Sequence, residues 1–128
     1  MTPPEGMSAS VLIADDDALV RGVLRLVLTR AGYTVAEASD AQEAVAVAHA
    51  HRFDLVVLDI NMPGGSVHDT VNSLRNQRPK LPILVLSGEL EPPRELAGIP
   101  FDFARKPIGR VELLTLVENL LDNGSSGS

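Results

Sequence analysis

Leu55-Val56-Val57-Leu58-Asp59 decides how the rest of the chain is read. Four aliphatic residues in succession match a strand buried on both faces, as in the interior of a parallel sheet. The run ends on a carboxylate, and Ile60-Asn61-Met62-Pro63-Gly64-Gly65 follows, where Pro and Gly stop regular structure. In open α/β sheets, ligands bind just outside the carboxyl ends of the strands, which puts Asp59 where chemistry is usually done. A lone Asp after a strand often only opens a turn. Three other stretches, each closing an expected strand, point to more than that.

The chain has 128 residues and no Cys, enough for one domain around one core. Without Cys there is neither a disulfide scaffold nor thiolate chemistry, which is compatible with a reducing compartment. No apolar run approaches membrane-spanning length, and no basic-then-apolar leader precedes the first strand. The expected setting is therefore soluble and cytoplasmic, with no membrane partner. Acidic residues outnumber Lys and Arg by 17 to 11. That balance argues against direct nucleic-acid binding, because phosphate contacts need clustered basic residues.

Residues 1–9 contain Pro, Gly and Ser without periodicity and read as a flexible arm. Ser10-Val11-Leu12-Ile13-Ala14 is a first buried strand running into Asp15-Asp16-Asp17. Three adjacent carboxylates repel one another unless a cation sits among them. Asp17 is explained as the cap of the next helix, whereas Asp15 and Asp16 are not both explained that way. Oxygen donors without His or Cys suit Mg²⁺ or Mn²⁺ rather than zinc.

A helix is predicted over 18–31, with Val20, Val23, Leu24, Val27 and Leu28 on its inner face, and Gly32 ends it. Thr34 to Ala38 alternates as a second strand near an edge. Ser39 to Gln42 reads as a capping box opening a helix to about Ala50. His49 and His51, two residues apart, point in different directions and read as a solvated helix end. Val67, Val71 and Leu74 mark a third helix, with His68 on its surface, ending near Arg78-Pro79. Pro82 to Ser87 is a fourth strand and Phe101 to Arg105 a short fifth, followed by Lys106-Pro107. A last helix is predicted over 109–121, with Val111, Leu114, Val117 and Leu121 inward. Residues 122–128 read as a flexible tail, a linker or a cloning remnant. The order (βα)₅ implies a doubly wound α/β fold, a three-layer sandwich around a five-stranded parallel sheet of flavodoxin-like type.

Strand ends thus bring Asp15 and Asp16, Asp59, Ser87 and Lys106 to one edge of that sheet. Carried by Ile13-Ala14-Asp15-Asp16-Asp17, Leu58-Asp59-Ile60-Asn61-Met62-Pro63-Gly64, Leu86-Ser87-Gly88 and Arg105-Lys106-Pro107, the pattern resembles the receiver domain of two-component response regulators. The resemblance covers residues 10–121, nearly the whole chain. It implies that Asp59 accepts a phosphoryl group from a phosphohistidine on a histidine kinase or histidine phosphotransfer protein. It implies Mg²⁺ held by Asp16 directly, by Asp15 through water, by Asp59 and by the Asn61 backbone carbonyl. Lys106 and Ser87 would neutralise the transferring oxygens. By the same resemblance, Gly88 keeps access open, and Ser87 and Phe103 form the switch. Asn61 and Glu89 would steer the hydrolytic water, and the Lys106-Pro107 bond would be cis. Output would pass to a downstream protein or through a homodimer.

Three departures stand out. The turn after Asp59 is short, Ser87 stands where Thr is commoner, and Glu89 to Gly98 is truncated and interrupted by Pro92-Pro93. Pro93 cannot donate a backbone hydrogen bond and Pro92 is held out of helical geometry. A very short or frayed fourth helix is therefore expected. Two related readings are a receiver module within a hybrid histidine kinase, acting in phosphorelay or as a phosphate sink, and a degenerate receiver that only binds. A reading from another class is a small phosphatase with an Asp nucleophile. Such an enzyme wants a second acid two residues on, where this chain has Asn61, which cannot transfer a proton.

Overall fold

The computed structural model describes residues 9–126. The apolar runs form strands β1 (Ser10–Ala14), β2 (Thr34–Ala38), β3 (Leu55–Asp59), β4 (Ile83–Ser87) and β5 (Asp102–Arg105). Helices α1 (Ala18–Arg30), α2 (Ala41–Ala50), α3 (Val67–Gln77) and α4 (Arg110–Ser126) are joined to them, and a single 3-10 turn, Arg94–Leu96, stands between β4 and β5. The strands make one sheet in the order β2-β1-β3-β4-β5, and every neighbouring pair is parallel. Five parallel strands wrapped by four helices are the doubly wound α/β architecture expected from the sequence.

Alternation along each strand divides the core into two layers. Leu12, Val56, Leu58, Ile83 and Val85 face α2, α3 and the 3-10 turn, where they meet Ala44, Val71, Leu74 and Leu96. Val11, Ile13, Leu55, Val57, Leu84 and Leu86 face α1 and α4, against Leu24, Leu28, Leu113 and Val117. Because β3 lies between β1 and β4, all five of its residues are buried, the terminal Asp59 included.

Helix phases differ from those expected. Val23 is 54% exposed, while Leu24 and Leu28 are buried; Val23 sits about 100° round the helix from Leu24, at the edge of the stripe that a sheet can cover. In α4 the inward pair is Leu113 and Val117, and Val111 is 71% exposed, lying about 200° from Leu113. Leu114 and Leu121 pack at the margin of that layer.

The cap of α2 falls one residue later than expected. Asp40 is the N-cap and accepts from Glu43 N at 2.7 Å, while the Glu43 carboxylate accepts from Ser39 N. Asp17 caps α1 as expected, accepting from Leu19 N and Val20 N. Residues 122–126, expected as tail, continue α4, since each residue added to a formed helix gains a backbone hydrogen bond. Residues 1–8 of the expected arm and 127–128 of the tail lie outside the described residues. Among the described residues, no helix is long and apolar enough to cross a membrane.

The crossover from β4 to β5 is reduced to the one turn that the two prolines allow. Its one fully buried side chain is Leu96, with partly buried Ile99 and Phe101 of the crossover and Phe103 of β5 packed on the same layer. Leu96→Ala is expected to cost about 3 kcal/mol, read from urea denaturation. A loss below about 1 kcal/mol would show that the crossover is held by something other than this side chain.

Candidate functional site

Parallel register places the polar strand ends side by side. Ala14 pairs with Leu58, so Asp15 and Asp59 emerge together from β1 and β3. Asp59 pairs with Leu86 and Ser87 with Arg105, and Lys106 N donates to Ser87 O at 2.7 Å, bringing the lysine back beside β4. The peptide bond from Lys106 to Pro107 is cis.

The charged groups meet at this edge. Lys106 Nζ lies 2.8 Å from Asp15 Oδ2 and 3.2 Å from Asp59 Oδ1. One carboxylate oxygen from each of Asp15, Asp16 and Asp59 lies within 4.8 Å of the other two. Asp15 and Asp59 are buried, 1% and 5% exposed, and Asp16 is open to solvent. Backbone donors hold the buried pair: Asp17 N donates to Asp15 Oδ1 at 2.9 Å, and Asn61 N to Asp59 Oδ1 at 3.4 Å.

Burial and the neighbouring Asp15 charge push the Asp59 carboxyl above its ordinary value, against the opposing pull of Lys106 and Asn61 N. Burial pulls the Lys106 ammonium down, but its bonds and charge contacts with Asp15 and Asp59 outweigh that and hold it above its usual range. Three carboxylates facing one ammonium leave two without a counterion. Three carboxylates that can each offer one oxygen within 4.8 Å of the others, with no His or Cys among them, are a donor set of the kind that suits a hard divalent cation such as Mg²⁺ or Mn²⁺.

The remaining candidates lie around this cluster. Ser87 is fully buried and its Oγ accepts from Glu89 N at 3.0 Å. A Cβ added at Gly88 would meet nothing within 4 Å. Asn61 and Glu89 are exposed at the rim. Phe103 is not in the cluster; it lies on β5 opposite Val85 and packs, half-buried, on the layer that holds Leu96. His68 sits on the surface, 3.3 Å from Asp69.

Arg21 was not singled out by the sequence reading. Its Nη1 donates to the Asp15 carbonyl at 2.7 Å and its Nε to Glu37 at 2.9 Å, tying the acidic turn to α1 and β2. The available signal was its position one turn after the Asp17 cap, on the side facing β2.

Residues 11–118 match the family model described as response regulator receiver domain. The response regulator MprA of Mycobacterium ulcerans is 37% identical over 118 residues, 90% of this chain and 51% of that protein. The chemotaxis response regulator CheY4 of Vibrio cholerae superposes with a TM-score of 0.83 at 32% identity, covering 89% of this chain and 99% of that one. The receiver domain of the hybrid histidine kinase CckA does so with a TM-score of 0.76 at 28% identity, covering 88% and 98%. The chain therefore belongs to the response regulator receiver family of two-component signalling. It spans about half the length of some curated relatives and 24% of others.

Because folded Asp59 holds its proton more tightly than the unfolded chain does, its ionisation opposes folding. That penalty is absent below the unfolded Asp value of about 3.9 and grows as pH rises through the higher folded value. Without divalent cations, Asp59→Asn is expected to be about 1 kcal/mol more stable than wild type at neutral pH and about equal to it at pH ~3. Urea denaturation at both pH values measures this; equal stability at neutral pH would contradict it.

Proposed function

We infer that this chain is a phosphoacceptor module: Asp59 receives a phosphoryl group from the phosphohistidine of a histidine kinase or phosphotransfer protein. The observation that carries the reading is a buried carboxylate at the end of the central strand, 3.2 Å from Lys106 Nζ and clustered with Asp15 and Asp16. An Asp59 oxygen forms the new bond to phosphorus as the bond from phosphorus to the histidine nitrogen breaks, and that electron pair leaves with the imidazole. Little covalent help is needed in such a transfer; alignment and neutralisation of the equatorial oxygens carry it.

Asp15, Asp16, Asp59 and the Asn61 carbonyl are the groups that would hold Mg²⁺ or Mn²⁺. Bound there, the ion would supply positive charge to the transferring oxygens. Lys106 supplies a second cation, and on transfer its contact with Asp59 becomes one with the phosphoryl oxygens. Ser87 keeps its O–H free to donate while its oxygen accepts from Glu89 N. A hydroxyl drawn toward the phosphoryl group carries the Glu89 backbone with it. The short crossover that follows, pinned by Leu96 beside Phe103, is then the segment whose order changes.

Incubation with a small acyl phosphate, followed by intact mass, tests the acceptor. One phosphoryl group is expected in the presence of Mg²⁺, and none with chelator or in Asp59→Asn. Undiminished labelling of Asp59→Asn would remove Asp59 from the role. Asn61 and Glu89 flank the entrance, so alanine at either position is expected to change the decay of the labelled protein several-fold. Decay at the wild-type rate in both variants would place control of water elsewhere.

A further inference from the structure

The turn Asp15-Asp16-Asp17 is the part of the carboxyl edge that the sheet does not hold. The ladder of β1 ends where Ala14 pairs with Ala38 and Leu58, and α1 begins at Ala18. Asp15 is still fixed through its own groups. Its N–H donates to the Ala38 carbonyl at 3.0 Å, and its carboxylate accepts from Asp17 N and Lys106 Nζ. Asp17 is fixed by capping α1. Asp16 differs from both: it is exposed, and among the described residues its side chain has no hydrogen bond or ion pair. Where its carboxylate stands is therefore set by the backbone, above all by the plane of the peptide that joins it to Asp15.

Arg21 holds that peptide. Its Nη1 donates to the Asp15 carbonyl at 2.7 Å and its Nε to Glu37 Oε1 at 2.9 Å. A guanidinium is a planar fork with its donors in fixed directions, so gripping both acceptors sets the direction of the carbonyl. Both ends of the grip are anchored. Arg21 N donates to Asp17 O at 2.9 Å in the first turn of α1, and Glu37 lies on β2 opposite Ile13 of β1. The other Glu37 oxygen lies 3.0 Å from Arg25 Nε, and Arg25 has no bond to the acidic turn. The charge of Arg21 works against a cation site. A guanidinium repels a cation bound nearby, and two arginines on one glutamate leave a net positive charge. Charge and position thus have opposite signs: removing a group that only adds positive charge tightens a cation, whereas removing one that aims a ligand loosens it.

We propose that Arg21 is a positioning residue for a divalent cation: by holding the Asp15 carbonyl it sets the peptide that aims the Asp16 carboxylate at the site. The proposal rests on the reading that Asp15, Asp16 and Asp59 hold Mg²⁺. It is tested by titrating the ¹⁵N-labelled full chain with MgCl₂ and taking the affinity from the amide shifts, for wild type, Arg21→Met, Arg21→Lys and Arg25→Met. Arg21→Met keeps an apolar stem, loses the fork, and should bind Mg²⁺ about tenfold more weakly. Arg21→Lys keeps the charge, but one ammonium does not reproduce the fork, so it should still lose several-fold. Arg25→Met removes the same charge from the same glutamate and should stay within about twofold of wild type. A readout without metal accompanies these: in Mg²⁺-free buffer the Asp17 amide, which donates to Asp15, should exchange its hydrogen several-fold faster in Arg21→Met and at the wild-type rate in Arg25→Met. Wild-type or tighter Mg²⁺ binding by Arg21→Met overturns the proposal, and so does an equal loss in Arg25→Met. Should Arg21→Met fail to melt cooperatively, wild-type affinity in Arg21→Lys overturns it instead. A wild-type chain that takes no Mg²⁺ while its Asp17 amide responds as expected would remove the metal reading, and the proposal with it.

Discussion

Asp15 and Asp59 are buried beside one another at the carboxyl edge of the sheet, with Lys106 as the cation bonded to both. Two carboxylates in a poorly hydrated place repel, and a single ammonium does not cancel them. The arrangement survives because the backbone around it is held from several sides. β3 is paired on both edges, Asp17 N and Asn61 N donate into the carboxylates, and Arg21 fixes the Asp15 carbonyl. The core supplies the stability, and the edge spends part of it on a site poised to take up positive charge.

That division explains where the chain is regular and where it is not. Apolar layers on both faces leave the five strands little freedom, whereas the segments after β3 and β4 carry the turns. Gly64 and Gly65 have positive φ and pass close to the start of α2, where Ala41 N donates to Pro63 O. On the other side, Ser87 is linked through Glu89 N to a crossover with one buried anchor. The crossover is a single turn, and a segment of one turn orders and disorders more readily than a full helix.

Much of this was legible in the sequence. Unbroken aliphatic runs at β1, β3 and β4, ending on Asp or Ser, together with the alternating β2 and a short β5 before Lys106-Pro107, predicted the number of strands and which side chains share an edge. The Pro92-Pro93 pair sufficed to foresee the missing helix, because it acts through local backbone geometry. Local chemistry also accounts for Asp17 as a cap and Gly32 as a helix end. These features depend on residues close in sequence, and so a sequence contains them.

What the sequence left open depends on contacts between distant residues. Which turn of a helix meets the sheet is set by docking, so Val23 and Val111 face outward although their spacing allowed the opposite. The α2 cap settled on Asp40 rather than Ser39 where the chain leaving β2 meets the helix. Lys106 reaches Asp15 across 91 residues and lies nearer to it than to Asp59. Arg21 had only its place one turn after the Asp17 cap to mark it, and its bond to the Asp15 carbonyl depends on how α1 packs. Composition and periodicity determined the strands, the class of fold and the polar residues at its carboxyl edge. Tertiary packing alone decided their distances and their charge partners, because those follow from how layers dock and not from any one stretch of chain.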